Sequence, residues 1–165
     1  MKEIKVEELL NYFNPFVLEK EPAIALASNE KQSNGLTIGW ASFGTLWRKP
    51  CATVYVHAKR YSKHIFDDAK YFAICFMKDE HKNVIKYFGS VSGRDEDKFK
   101  NCGLAINSND VAPYFEESRL VVLCKIMGKS DFDANSVDEG VFDWYSKEGV
   151  HTQYYGEIIK VLINE

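Results

Sequence analysis

The sequence predicts a mainly β protein with short helices, built as an antiparallel barrel of Greek-key type that is closed or partly open. Three observations lead there. Aromatic residues make up 14% of the chain, with nine Tyr, eleven Phe and three Trp, a supply of rings that suits strands and barrel interiors. Cys51-Ala52-Thr53-Val54-Tyr55-Val56-His57 is dense in β-branched and aromatic residues and is the clearest strand. The order runs from strands through a helical insert back to strands, without the βαβ alternation of a parallel sheet. A chain of 165 residues fits one domain, residues 1–165, with length enough for a core.

Taken in order, Ile4, Leu9, Leu10 and Phe13 fall near helical spacing and predict a helix that ends at Asn14-Pro15. Ala23 to Ser28 reads as a strand, followed by a polar turn and a second strand, Leu36 to Ser42, in a hairpin. After the strand at 51–57 comes a brief helix at 60–69, then a strand from Tyr71 to Met77. Residues 80–88 are helical, with Val84, Ile85 and Phe88 on one face. A further helix is expected from Arg94 to Cys102, with Ser92 capping its start and Gly103 its end. Tyr114 to Met127 and Gln153 to Ile163 read as long strands. Gly128 to Val150 reads as an acidic, irregular loop of the kind that forms lids or interfaces.

Composition removes several functions. A net charge of −3 without a basic run argues against nucleic acid. No apolar stretch is long enough for a membrane span, and the charged start Met1 to Glu8 is unlike a signal peptide. A cytoplasmic location is therefore expected. Four cysteines at 51, 75, 102 and 124 form no Cys-x-x-Cys pair, and the histidines at 57, 64, 81 and 151 are scattered, so no metal site is expected. No Gly-x-Ser-x-Gly elbow, Walker loop or Gly-x-Gly-x-x-Gly fingerprint occurs.

Three segments carry donors or flat surfaces. Gly89-Ser90-Val91-Ser92-Gly93-Arg94 leads into Lys98, combining hydroxyls, a glycine and an arginine where a helix is expected to begin. Such a helix start favours an anion, and Arg94 can fork onto phosphate oxygens; an ordinary capped helix with surface charges has the same residues. Lys59-Arg60-Tyr61-Ser62 is a second donor cluster. In Leu36 to Ser42, Gly39 marks either close approach of a ligand or a barrel bend.

Together these stretches resemble the flavin reductase-like proteins of the FMN-binding split-barrel fold, particularly the flavoredoxin-like branch. The matching runs are Asn34-Gly35-Leu36-Thr37-Ile38-Gly39-Trp40, Gly44 to Pro50, Thr53 to Val56 leading into Arg60-Tyr61-Ser62, Gly89 to Asp95 with Lys98, and Tyr155 to Ile158. The resemblance implies an antiparallel split barrel that forms a homodimer with one FMN per subunit. Thr37, Ile38, Gly39, Trp40 and Ala41 would hold the ring and upper ribityl, Ser42 would reach the ribityl chain, Trp47 would shield the ring, and Asn34 would be a further cofactor-binding residue. Arg60, Tyr61, Ser62, Ser90, Ser92, Gly93, Arg94 and Lys98 would bind the phosphate. The chain departs from the family at Leu36, His57 and Val91, where Met, Arg and Lys are frequent, so the phosphate site would rest on Arg60 and Arg94. The implied function is an FMN-dependent oxidoreductase fed by NAD(P)H or a redox protein, with His151 a candidate for the nicotinamide side. The rival readings are an electron carrier without NAD(P)H turnover and a barrel that holds another planar ligand or a haem.

Overall fold

A computed structural model describes residues 1–164. Its main sheet has eight strands: β1 (Lys2–Ile4), β2 (Ala23–Ser28), β3 (Ser33–Ile38), β4 (Ala41–Leu46), β5 (Lys49–His57), β6 (Tyr71–Met77), β9 (Ser118–Asp131) and β10 (His151–Ile163). Two short strands, β7 (Ile106–Asn107) and β8 (Tyr114–Phe115), pair apart from it. The spatial order is β3-β2-β6-β9-β10-β5-β4, antiparallel throughout. Beside β10, β5 occupies the first half, from His151 to Glu157, and β1 the second, from Val161 to Ile163. Among the described residues four α-helices complete the fold: α1 (Lys63–Asp68), α2 (Lys82–Ser90), α3 (Lys98–Asn101) and α4 (Glu139–Glu148). None is long and apolar enough to cross a membrane.

The period of two along a strand explains β2, which is apolar at five consecutive buried positions. Ala23, Ala25 and Ala27 face one core, shared with Val54, Phe66, Phe72 and Tyr154. Ile24 and Leu26 face a second, shared with Val84, Phe88 and Phe115 of the helical insert. Both faces are covered, so the strand is apolar throughout rather than alternating. Where β10 shifts register against β9 at Tyr155/Gly156, a Cβ on Gly156 would lie 2.5 Å from the Phe72 ring. The residue must be glycine for the sheet to bend over that ring.

The sheet does not close. Its terminal strands β3 and β4 follow each other in sequence, yet β3 pairs with β2 and β4 with β5. The chain changes partners at Gly39-Trp40, which belong to neither strand. This is the split of a split barrel, and it corrects the expected continuous strand from Leu36 to Ser42.

Three other expectations change. The N-terminal segment forms β1 and a 3-10 turn, Val6–Asn11, instead of an α-helix; Ile4 is spent pairing with Val161 of β10. The helix expected from Arg94 begins only at Lys98, because Asp97 takes the cap and accepts from the N–H groups of Phe99 and Lys100. Ser92 therefore caps no helix. The segment 128–150 is ordered: β9 runs on to Asp131 and α4 follows, capped by Asp138 and closed by Gly149 at φ 92°.

Candidate functional site

The split leaves β3 with an open edge. Gly35 turns its carbonyl off that edge, where it accepts from Ser62 Oγ at 3.0 Å and from Lys98 Nζ at 2.6 Å. Backbone groups alternate sides along a strand, so Thr37, two residues on within β3, sends its N–H and C=O groups off the same edge, with Gly39 just beyond the strand end. A crevice of about 500 Å3 lies there. Its sides are Leu36 to Trp40, the end of β5 with Tyr55 and His57, then Lys59 and Arg60, and beyond them Trp144, Glu148 and His151. A narrower hollow of about 160 Å3 continues from it, sharing Leu36, Lys59 and Arg60, and reaching Tyr61, Ser62, Ser90 to Arg94 and Lys98. The larger part falls within the roughly 300–1,000 Å3 of ordinary ligand sites.

The narrow end is cationic. Lys98 is 4% exposed and bonds only backbone carbonyls, Gly35 and Phe88, the latter at 3.3 Å. Burial, and then the nearby Arg60 charge, push its ammonium down to about 8. Arg60 donates through Nη1 to the Gly89 carbonyl at 3.2 Å, and Arg94 lies over the Tyr61 ring, 5.6 Å from its centroid. Among the described residues no carboxylate pairs with any of these three cations. Lys98 is buried and Arg60 and Arg94 are exposed beside it; a buried cation without a counter-ion is costly, and the three together favour an anion.

The hydroxyls divide by what their protons already do. Ser62 gives its proton to Gly35, Ser90 to the carbonyl of Lys86, and Tyr61 to Gln32. Ser92 instead accepts from the N–H of Arg94, so its proton is available to a ligand. Gly93 is wedged between Asn34 and Tyr61: a Cβ there would stand 1.9 Å from Asn34 Nδ2. Asn34 is buried and accepts from the Gly35 N–H, so it supports the strand edge from behind. The anion site is thus a loop of side-chain donors rather than a helix start, since Gly89 and Ser90 end α2 and Arg94 precedes α3.

The wide end is aromatic. His151 stacks on Trp144 with centroids 5.6 Å apart, and Trp40 and His57 approach it at 5.0 and 4.9 Å. Burial, followed by the proximity of His57 and Arg60, pushes the His151 imidazole down to about 4, so it is neutral at neutral pH. His57 accepts from the Lys59 N–H at Nδ1 and donates from Nε2 to the Gly149 carbonyl, which fixes its tautomer. Lys59 also pairs with Glu148 at 3.0 Å, tying α4 across the rim.

Of the expected site residues, Thr37, Ile38, Gly39, Trp40, Arg60, Tyr61, Ser62, Ser90, Ser92, Gly93, Arg94, Lys98 and His151 line this continuous groove. Asn34, Ala41, Ser42 and Trp47 do not. Ser42 gives its hydroxyl to a bond with Tyr55 Oη at 2.6 Å, and Trp47 sits at the far tip of the β4–β5 hairpin against Tyr155. Thr37 lines the groove, but its hydroxyl is given to the carbonyl of Ile85. Trp144 and Glu148 were missed as site residues because α4 was read as an irregular loop; Tyr55 carries only a strand signal.

A family model described as "Flavin reductase like domain" matches residues 20–165. The chain belongs to that family. Its function therefore lies in flavin-linked redox chemistry. Solved structures similar to this flavin reductase like domain include flavoredoxin from Methanosarcina acetivorans, 22% identical with a TM-score of 0.69, covering 100% of this chain and 77% of that one. Flavoredoxin of Desulfovibrio vulgaris (Miyazaki F) is 20% identical with a TM-score of 0.67, covering 87% and 69%. An FMN-binding protein from Thermus thermophilus with bound 1-cyclohex-2-enone is 20% identical, also at 0.67, covering 86% and 69%. A search of curated protein sequences finds no match.

Proposed function

We propose that this domain binds FMN and acts as an FMN-dependent oxidoreductase that takes electrons from NAD(P)H or a redox protein. One observation carries the reading: three cations without carboxylate partners meet at the narrow end of a groove whose wide end is an open strand edge faced by aromatic rings. The names of the similar structures, two flavoredoxins and an FMN-binding protein, agree with it.

The residues present fit the group. Lys98, Arg60 and Arg94, with the free hydroxyl of Ser92, would hold the phosphate; Arg60 uses one of five guanidinium N–H groups on Gly89 and keeps the rest. The N–H groups of Thr37 and Gly39 would meet the polar edge of the ring, and Leu36, Ile38 and Trp40 would cover it. Bound FMN supplies the hydride or electron chemistry, and the protein supplies position and electrostatics. His151, being neutral, brings no charge to the ring, and its stack with Trp144 excludes water from that end. Trp40 and Trp47, 47% and 60% exposed, offer apolar surface suited to a homodimer, which sedimentation would test.

Arg60→Ala combined with Arg94→Ala is expected to abolish FMN retention while far-UV circular dichroism stays unchanged. Undiminished yellow colour in a folded double variant refutes the assignment. Anaerobic mixing with NADH or NADPH then separates the two donors: bleaching marks a nicotinamide-dependent reductase, and persistent colour marks a carrier fed by another protein.

A further inference from the structure

Thr37 also borders a second cavity, about 730 Å3, walled by Ile85, Lys86 and Gly89 of α2. Its apolar part is built from rings. Phe13 and Phe76 meet with centroids 4.6 Å apart, and Tyr12 stands beside them at the surface. Its charged part is unbalanced. Lys20, Lys82, Lys86 and Arg119 face two acids, Glu21 and Asp79, an excess of two positive charges in a chain whose net charge is −3.

The pairing within that set leaves clear vacancies. Asp79 is taken by Lys82 at 2.8 Å. Arg119 lies over the Phe76 ring, 5.7 Å from its centroid, and donates through Nη1 to the Tyr12 carbonyl at 2.7 Å. Among the described residues no carboxylate pairs with Arg119, Lys86 or Lys20. A guanidinium beside a ring with one donor satisfied has further N–H groups left for an anion. Edge and face contacts from Phe13, Phe76 and Tyr12 suit a flat apolar body attached to that anion.

We propose that this cavity is a second binding site that takes an aromatic carboxylate, its ring packed against Tyr12 and Phe13 and its carboxylate on Arg119 with Lys86. The site shares only Thr37 with the lining of the flavin groove. It touches that groove's frame, since the carbonyls of Ile85 and Gly89 on its α2 wall accept from Thr37 and Arg60. Both ligands therefore bear on one helix, and any coupling between them is reciprocal.

The test uses the protein as purified and 2-naphthoate as probe, titrated calorimetrically, with neutral 2-naphthamide as control. One naphthoate per chain is expected, the amide binding at least about tenfold more weakly because charge-assisted bonds to the cations are lost. Arg119→Gln with Lys86→Gln is expected to weaken naphthoate about tenfold and to leave flavin content unchanged. The proposal is overturned if naphthoate shows no saturable binding, if the amide binds equally, or if the double variant titrates like its parent. Release of flavin in proportion to naphthoate bound would also overturn it, by placing the probe in the groove; failure of the FMN reading alone leaves this titration intact.

Discussion

Arg60 and Lys98 clasp neighbouring carbonyls in the last turn of α2: Arg60 Nη1 reaches Gly89 O at 3.2 Å and Lys98 Nζ reaches Phe88 O at 3.3 Å. A helix C-terminus is electronegative, with carbonyls that lack partners inside the helix. Those carbonyls keep two mutually repelling cations close together when no anion is between them.

The proximity has a pH signature. The Lys98 ammonium is held down to about 8, chiefly by burial, and a phosphate dianion beside it favours the charged form. Binding then takes up a proton between the free and bound pKa values, so affinity falls as pH rises through about 8. FMN affinity measured by fluorescence quenching from pH 7 to pH 10 is expected to drop by up to tenfold per pH unit above 8. Lys98→Met should bind more weakly at pH 7 and lose this dependence. An unchanged slope in the variant would assign the titration to another group.

Gly93 makes a steric prediction. Its would-be Cβ lies 1.9 Å from Asn34 Nδ2 and 2.6 Å from Tyr61 Cδ1. Gly93→Ala is expected to cost about 1–3 kcal/mol by overpacking and to push Tyr61 away from Arg94, with loss of bound flavin. Urea unfolding followed by tryptophan fluorescence, together with flavin content, checks both. A variant as stable and as yellow as the parent would show that the wedge is soft.

The β4–β5 hairpin predicts a gain. Its two connecting residues, Trp47 and Arg48, have φ of 50° and 64°, the left-handed pair of a two-residue hairpin turn that normally favours Asn-Gly. Arg48 is exposed and makes no ion pair among the described residues. Arg48→Gly is expected to stabilise the protein by about 1 kcal/mol through relief of the left-handed cost, seen as a higher urea midpoint with an unchanged slope. A lower midpoint would show that the guanidinium supports the hairpin.

Strands whose residues are buried on both faces were legible in the sequence: Ala23–Ser28 and Tyr71–Met77 have the expected ends, because a continuous apolar run bounded by polar residues has few other readings. The meeting of Arg60, Arg94 and Lys98 was legible through the family resemblance, since local chemistry alone allows an ordinary capped helix. What stayed hidden depended on competition or distance. Ser92 and Asp97 are both good caps, and Asp97 won by reaching two N–H groups. Helix α4 buries only Tyr145, so its apolar period is nearly invisible among acids. That Trp47 leaves the groove follows from the partner change at Gly39-Trp40, which no local pattern announces.

That partner change has a further consequence. A barrel that closed would hide every amide inside its own ladder, whereas here one row of N–H and C=O groups on β3 faces a gap walled by helices and rings. Unpaired strand margins invite adhesion between molecules, so whatever fills the gap also acts as a solubiliser. Protein stripped of its ligand should therefore precipitate sooner than loaded protein, even at equal folding stability.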